Sequence, residues 1–72
     1  MPRGNYHIEA LERGLRVLEA FSPESPSLSM TEIAEQTGLN KSTAFRVAHT
    51  LDVLGYLNRD PDTKRYRPGL KV

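Results

Sequence analysis

The stretch TGLNKSTAFRVAHTL, from Thr37 to Leu51, decides how the rest of the chain is read. Nine of the chain's 72 residues are acidic, yet none lies between Gly38 and Leu51. Gly38 suits the left-handed residue that closes a helix, and Asn40 suits the N-cap of the next one. From Lys41 to Leu54, apolar residues recur at 44, 47, 48, 51 and 54, the spacing of one buried helical stripe. The spacing therefore predicts a helix over Lys41–Leu54, entered through a three-residue corner and ended by Gly55.

Upstream, Ser29 followed three residues later by Glu32 forms a capping box, and Leu28 and Ile33 fit the accompanying hydrophobic staple. They predict a short helix from Met30 to Thr37. The run SPESPS before it is a loop. Further back, Ile8 to Phe21 place every charged residue opposite a continuous apolar side, with Glu9–Arg13 and Glu12–Arg16 as acid-first pairs at i,i+4. This first helix is expected to stop at Ser22-Pro23, because proline disfavours helical backbone in the residue before it.

The first helix's apolar arc spans about 180°, where a surface helix needs only ~100° or somewhat more. Two readings follow. Either a small domain wraps this helix deeply, or part of the arc, centred on Leu11, Gly14, Leu15 and Leu18, meets a second copy of the chain. Downstream, YLNRD and KRYRP flank Asp60-Pro61-Asp62-Thr63, where Pro61 suits the first central position of a type I turn, so a β-hairpin is expected. Leu28 is expected to add a very short third strand.

A chain of this length supports one small domain over residues 1–72, with no room for a large ligand cavity beside its core. It has no cysteine, hence neither disulfides nor thiolate metal sites. His7 and His49 are distant in sequence and fit no ligand pattern, so neither metal nor cofactor is expected. The N-terminal MPRGNYHIEALERG lacks the apolar run of a signal peptide, and no segment approaches the ~20 apolar residues of a membrane helix. The expectation is a soluble, cytoplasmic chain.

Net charge is only +1, but its distribution is uneven. Residues 1–35 carry Arg3, Arg13 and Arg16 against six carboxylates, whereas residues 36–72 carry seven cations against Asp52, Asp60 and Asp62, so the balances are −3 and +4. A polyanion would meet the second half.

Two helices joined by a glycine corner outline a helix-turn-helix, whose second helix enters the DNA major groove. The helical wheel sends Ser42, Phe45, Arg46 and His49 outward together, flanked by Lys41, Thr43 and Thr50. A face that approaches phosphates spaced at about one charge per 1.7 Å of duplex should lack carboxylates, and this one does. Arg46 can pair bidentately with guanine; Ser42 and Thr43 reach bases or phosphates; Asn40, Lys41 and the helix N-terminus suit phosphate. Phe45 has two readings, contact with a thymine methyl or packing on the hairpin. His49 is either a DNA contact or a solvated residue. Lys64 and Arg65 follow the hairpin turn and can grip phosphate or a minor groove, the plain alternative being a basic edge strand. Glu32 and Glu35 read as solvated carboxylates, not as an acid–base pair.

The ordered set ALERGLRVLEAF, LSMTEIAEQTGLNKSTAFRVAHTLDVLGYLNRD and KRYRPGLKV resembles the N-terminal winged helix-turn-helix of the IclR family of bacterial transcription regulators, over nearly the whole chain. The resemblance implies a DNA-binding domain that dimerises partly through its first helix. It also implies a following effector-binding domain that senses a small metabolite, expected to lie outside these residues. The chain ends at Val72, close to where the resemblance places a linker helix, and is read as part of a longer protein. By position, Ser42, Thr43 and Arg46 match the family's Ser-Thr-x-x-Arg, and Lys64 and Arg65 its wing tip. Val47-Ala48 and Pro68 stand where the family more often has leucines.

The sequence is thus expected to form a three-helix winged helix-turn-helix, mainly α with a small β-hairpin wing. Its expected role is sequence-specific duplex DNA binding as a homodimer, without enzymatic activity. The rival readings are a winged-helix protein-interaction module and a structural RNA binder.

Overall fold

The computed structural model describes residues 6–71; Arg3, counted in the charge balance, and Val72 lie outside them. Among the described residues, three helices precede a hairpin: α1 (Glu9–Glu19), α2 (Met30–Thr37), α3 (Lys41–Leu54), β1 (Leu57–Arg59) and β2 (Tyr66–Pro68). The strands are antiparallel, with Leu57 opposite Pro68, Asn58 opposite Arg67 and Arg59 opposite Tyr66. Leu28 pairs with Tyr66 through two backbone bonds, Leu28 N–H to Tyr66 O at 2.9 Å and Tyr66 N–H to Leu28 O at 2.7 Å. The third strand anticipated from the sequence is therefore a single residue long. This is the expected winged helix-turn-helix.

Local signals explain the two later helices. Ser29 Oγ accepts from the Glu32 amide at 3.1 Å while Glu32 Oε1 accepts from the Ser29 amide at 2.8 Å, which is the predicted capping box. Gly38 ends α2 at φ 78°, and Gly55 ends α3 at φ 92°, both in the left-handed region that other residues occupy at a cost. Asn40 Oδ1 accepts from the Thr43 amide at 2.8 Å and starts α3. The corner has a further fastening. Buried Thr37 donates its hydroxyl to Ile33 O at 2.8 Å and accepts from the Leu39 amide at 3.3 Å, tying the end of α2 to the residue that leads into α3.

Helix α1 departs from expectation at its end. It closes at Glu19, not Phe21, with the Ala20 amide shared between Arg16 O and Val17 O. Ser22 and Ser25 then exchange backbone bonds of 3.2 and 3.0 Å around Pro23-Glu24. That tight turn requires the chain to leave the helix before Ser22, and Phe21 packs half-buried on the core instead of continuing the helix. The two acid-first pairs form at the surface, Glu12–Arg16 at 2.8 Å and Glu9–Arg13 at 3.7 Å. His7 Nε2 lies 2.6 Å from Glu12 Oε1, and with Arg16 it holds the Glu12 carboxyl below its usual range.

The core gathers Val17 from α1, Leu28, Ile33 and Ala34 around α2, Ala44 and Ala48 from α3, and Leu57 and Tyr66 from the hairpin. Each large apolar side chain so buried contributes about 1.5–3 kcal/mol before entropy is charged against it. In the α3 stripe, Ala44 and Ala48 are fully buried and Val47 and Leu51 half-buried, but Leu54 is exposed, because the last turn leaves it on the rim of an open groove.

The α1 arc is also only partly consumed. Val17 is buried and Leu18 packs on the core, whereas Leu11 is 59% exposed and Ile8 and Leu15 are exposed too. Deep wrapping is therefore not what its breadth serves within one chain.

After β2, Gly69 donates its amide to Tyr56 O at 2.9 Å, extending the hairpin's hydrogen bonding past Pro68. A Cβ on Gly69 would sit 2.4 Å from the Gly55 carbonyl oxygen, a clash with backbone that no rotamer relieves. Gly69→Ala is expected to lower unfolding stability by about 1–3 kcal/mol, the usual range for overpacking, read as a fall in denaturant midpoint. A midpoint equal to wild type would mean that this approach is not tight.

Candidate nucleic-acid interface

Helix α3 hangs from the corner at its N-terminus and from Ala44 and Ala48 along its inner side, so the opposite side must face outward. Lys41, Ser42, Phe45, Arg46 and His49 are exposed and Thr43 half-exposed. Phe45 is not among the side chains packed on the core that Leu57 and Tyr66 of the hairpin share. Its ring stacks on His49 of the next turn, with centroids 5.8 Å apart and planes 15° from parallel, and it stays 51% exposed. Thr50 turns its hydroxyl back to Arg46 O at 2.8 Å, which removes it from the set of outward donors. Among the described residues, Lys41 and Arg46 form no ion pair, so both charges are available to an anion. Helix α3 has no acid in its first turn, and its N-terminal backbone amides form the positive end of the dipole.

The hairpin turn is one residue longer than the four-residue turn anticipated. Lys64 donates its amide to Asp60 O at 2.7 Å, and the Asp60 amide donates to Arg65 O at 2.8 Å. Asp60 Oδ1 accepts from the Asp62 and Thr63 amides at 2.8 and 3.3 Å, and these two bonds hold its carboxyl below the ordinary range. Lys64 closes the turn at φ 62°, the single non-glycine residue with positive φ among those described. An L-residue there costs roughly 1–2 kcal/mol. The strained residue is an exposed cation at the tip of the wing.

Arg65 is placed differently from its neighbour. Its guanidinium donates from Nε to Ser27 Oγ at 2.9 Å and from Nη2 to Ser27 O at 2.8 Å and Glu32 Oε1 at 3.0 Å. Lys64 projects from the tip, while Arg65, its side chain 41% exposed, has Nε and Nη2 engaged by Ser27 and Glu32. Glu32, read from sequence as a solvated carboxylate, takes both the Ser29 amide and this fork. The Ser29 bond first, and Arg65 next among the favourable contacts, hold it below the usual carboxylate range. Ser27 was not singled out by the sequence at all, because its partner lies 38 residues away. Thr37, a hydroxyl immediately before the corner glycine, is the local signal of the bonds that fasten the corner.

On another side of the chain, α1 and α3 flank an open groove of about 600 Å³. Leu11, Leu15 and Leu18 line one wall and Val47, Leu51 and Leu54 the other. Gly14 lies in the same groove, and a Cβ there would meet nothing within 4 Å. Thr43 and Arg46 stand on its rim, so the apolar groove and the cationic face adjoin. Among the described residues no helix is long and apolar enough to cross a membrane.

Comparison with known proteins bears on this arrangement. The family profile described as the IclR helix-turn-helix domain matches residues 10–61. The HTH-type transcriptional regulator XynR of Escherichia coli (strain K12) is 35% identical over 65 residues, covering 90% of this chain and 26% of its own length. The p-hydroxybenzoate hydroxylase transcriptional activator of Acinetobacter baylyi is 43% identical over 54 residues, or 75% of this chain and 20% of that protein. The crystal structure of an IclR family transcriptional regulator from Brucella abortus superposes with a TM-score of 0.86 at 44% identity, over 88% of this chain and 24% of that one. The chain spans about a quarter of these relatives, which are regulators of transcription and not enzymes. A match that runs from α1 through the corner and α3 to the wing makes this chain the helix-turn-helix domain of a member of the IclR family of transcription regulators.

Proposed function

We propose that this domain binds duplex DNA sequence-specifically, with α3 in the major groove and the wing on the backbone or in the minor groove. The observation that carries the reading is the exposed, acid-free side of α3, where Ser42 and Arg46 project beside Lys41. Arg46 reads guanine, Ser42 and Thr43 reach bases or phosphates, and Asn40, Lys41 and the α3 N-terminus take phosphate. The exposed edge of Phe45 reaches a thymine methyl, and His49, stacked behind it, holds the ring in place and faces the backbone. Lys64 supplies the wing's phosphate contact; strain of the kind it carries persists where function requires it.

The groove beside α1 supports a second part of the reading, a homodimer built through Leu11, Gly14, Leu15 and Leu18. Glycine inside a helix sacrifices about 1 kcal/mol relative to alanine, and nothing among the described residues packs closely on Gly14 to explain it. A second copy approaching there does explain it. Two copies related by a two-fold axis would address half-sites about 34 Å, or a multiple, apart.

Relatives carrying this portion include a protein named as an activator and another named as a repressor, Transcriptional repressor IclR of Escherichia coli. Operator binding is the step that both signs of regulation share. An IclR homolog from Microbacterium hydrocarbonoxydans, 32% identical where it superposes, was solved complexed with 4-hydroxybenzoate, and this chain covers 25% of it. Control by a small effector is proposed to act through a part of the full-length protein other than this domain, as the family resemblance implies.

Fluorescence anisotropy with duplex DNA at two salt concentrations tests the reading. Binding that weakens steeply with salt is expected; binding that is absent or indifferent to salt favours the protein-interaction module. Preference for an RNA competitor would favour the RNA reading. Arg46→Ala should relax discrimination at one base pair by about 1–3 kcal/mol, and Lys64→Ala should weaken all duplexes alike and reduce the salt slope by about 1. Equal losses on every sequence for both variants would contradict these roles.

Lys64→Gly separates function from folding. Its melting temperature should equal or exceed that of wild type, since glycine relieves the positive φ, while its DNA affinity falls. A variant that both melts lower and binds normally would remove the functional account of the strain. For the dimer, Gly14→Ala should raise the stability of the isolated chain by up to about 1 kcal/mol yet weaken self-association in sedimentation equilibrium. Unchanged association, or a wild-type chain that stays monomeric on operator DNA, counts against pairing through this face.

A further inference from the structure

We propose that Arg65 is a positioning residue, which acts on DNA only by holding the wing to the start of α2 so that Lys64 is presented in register with α3. The inference rests on the DNA-binding reading above and adds to it the device that joins its two contact elements. The wing is a short ribbon, three residues in each strand with the single Leu28 pair beside it, and it is seated in the core at its base through Leu57 and Tyr66. Backbone bonds and these two side chains fix the base, but a ribbon of two short strands is marginal by itself, which leaves the turn from Asp60 to Lys64 to pivot beyond it.

Arg65 restrains that pivot. It follows Lys64 directly, and its guanidinium reaches Ser27 Oγ at 2.9 Å, Ser27 O at 2.8 Å and Glu32 Oε1 at 3.0 Å. All three acceptors belong to the segment that leads into α2 and to its first turn. Glu32 is itself pinned by the Ser29 amide at 2.8 Å, so one carboxylate caps α2 and anchors the wing at once. A planar fork with three bonds to two residues specifies direction in a way that an ammonium group does not. Because α2 is fastened to α3 through the corner, the wing is thereby referred to the recognition helix.

Two conservative variants decide between this role and a direct phosphate contact by Arg65. Glu32→Gln keeps the capping box, in which glutamine serves as well as glutamate, but loses the charged anchor. Removing a carboxylate and freeing Arg65 should strengthen binding to a polyanion if Arg65 touches phosphate; the positioning role expects roughly fivefold weaker binding, about the loss of one phosphate contact. Arg65→Lys keeps the charge and loses the fork, so it too should weaken binding by roughly fivefold, whereas a simple phosphate contact would tolerate it.

The readout that a merely structural role would not move is coupling to Lys64. Lys64→Ala, roughly fivefold in wild type, should weaken binding by less than about twofold in the Glu32→Gln background, and the salt slope should already be reduced there. The measurements are anisotropy titrations of a fixed duplex, below the melting transition of every variant. Wild-type or tighter binding by Glu32→Gln, wild-type binding by Arg65→Lys, or a full Lys64→Ala effect in the Glu32→Gln background would each overturn the proposal while leaving DNA binding intact. Absence of salt-dependent binding in the wild-type chain would instead remove the DNA reading, and this inference with it.

Discussion

Ala44 and Ala48 lie one helical turn apart on α3 and are completely buried, and both α1 and α2 pack against this helix. A methyl group is small enough to let two helices close on the inner side of a third at short separation, since interaxial distance follows the size of the side chains at the contact. With α3 gripped from inside in this way, its rotation about its own axis is set. Turning it by even one residue's angle would bring Thr43 or Val47 into the methyl-sized space. The outward direction of Ser42, Phe45 and Arg46 is thus a consequence of the core, not an independent feature of the surface.

The parts of this structure that are legible in the sequence are those whose cause lies within a few residues. The Ser29–Glu32 box, the Asn40 cap and the glycines at 38 and 55 are bonds or dihedral demands spanning at most three positions, and each appears where the sequence places it. The single-residue strand at Leu28 was legible for another reason, an apolar residue isolated between a loop and a cap. What local reading misplaced depends on turns and partners that helical phase does not encode. Phe21 is apolar in the right phase for α1, but the turn closed by Ser22 and Ser25 draws it out of the helix. Leu54 is in phase with the α3 stripe, yet it borders the open groove between α1 and α3 and stays exposed. Arg65 looks like Lys64 in sequence, and only the 33 and 38 residue separations closed by folding distinguish them.

Lys64 and Arg65 illustrate how adjacent cations divide work under geometric constraint. The wing turn closes at Lys64 with positive φ, and the chain then re-enters the hairpin at Arg65, whose side chain lies against the start of α2. One residue is held in a conformation that ordinary side chains avoid, and the next secures the segment that holds it there. Local strain of about 1–2 kcal/mol survives only where neighbouring contacts over-determine the backbone. Here those contacts are the two bonds of Asp60 to the turn amides and the three bonds of Arg65 to Ser27 and Glu32.

The apolar groove and the cationic face are not independent either. Arg46 is exposed and lines the same groove as Val47, Leu51 and Leu54, so it borders both surfaces. An arginine stem packs well along apolar surface while its guanidinium remains in water. If a second chain fills the groove as proposed, the stem of Arg46 gains a wall on its open side, and the rotamers available to the guanidinium diminish. A bidentate contact with guanine benefits from that loss in advance, because less side-chain freedom then has to be surrendered on binding. Pairing of two copies would in this way sharpen base recognition within each copy, apart from any avidity gained by linking two half-sites.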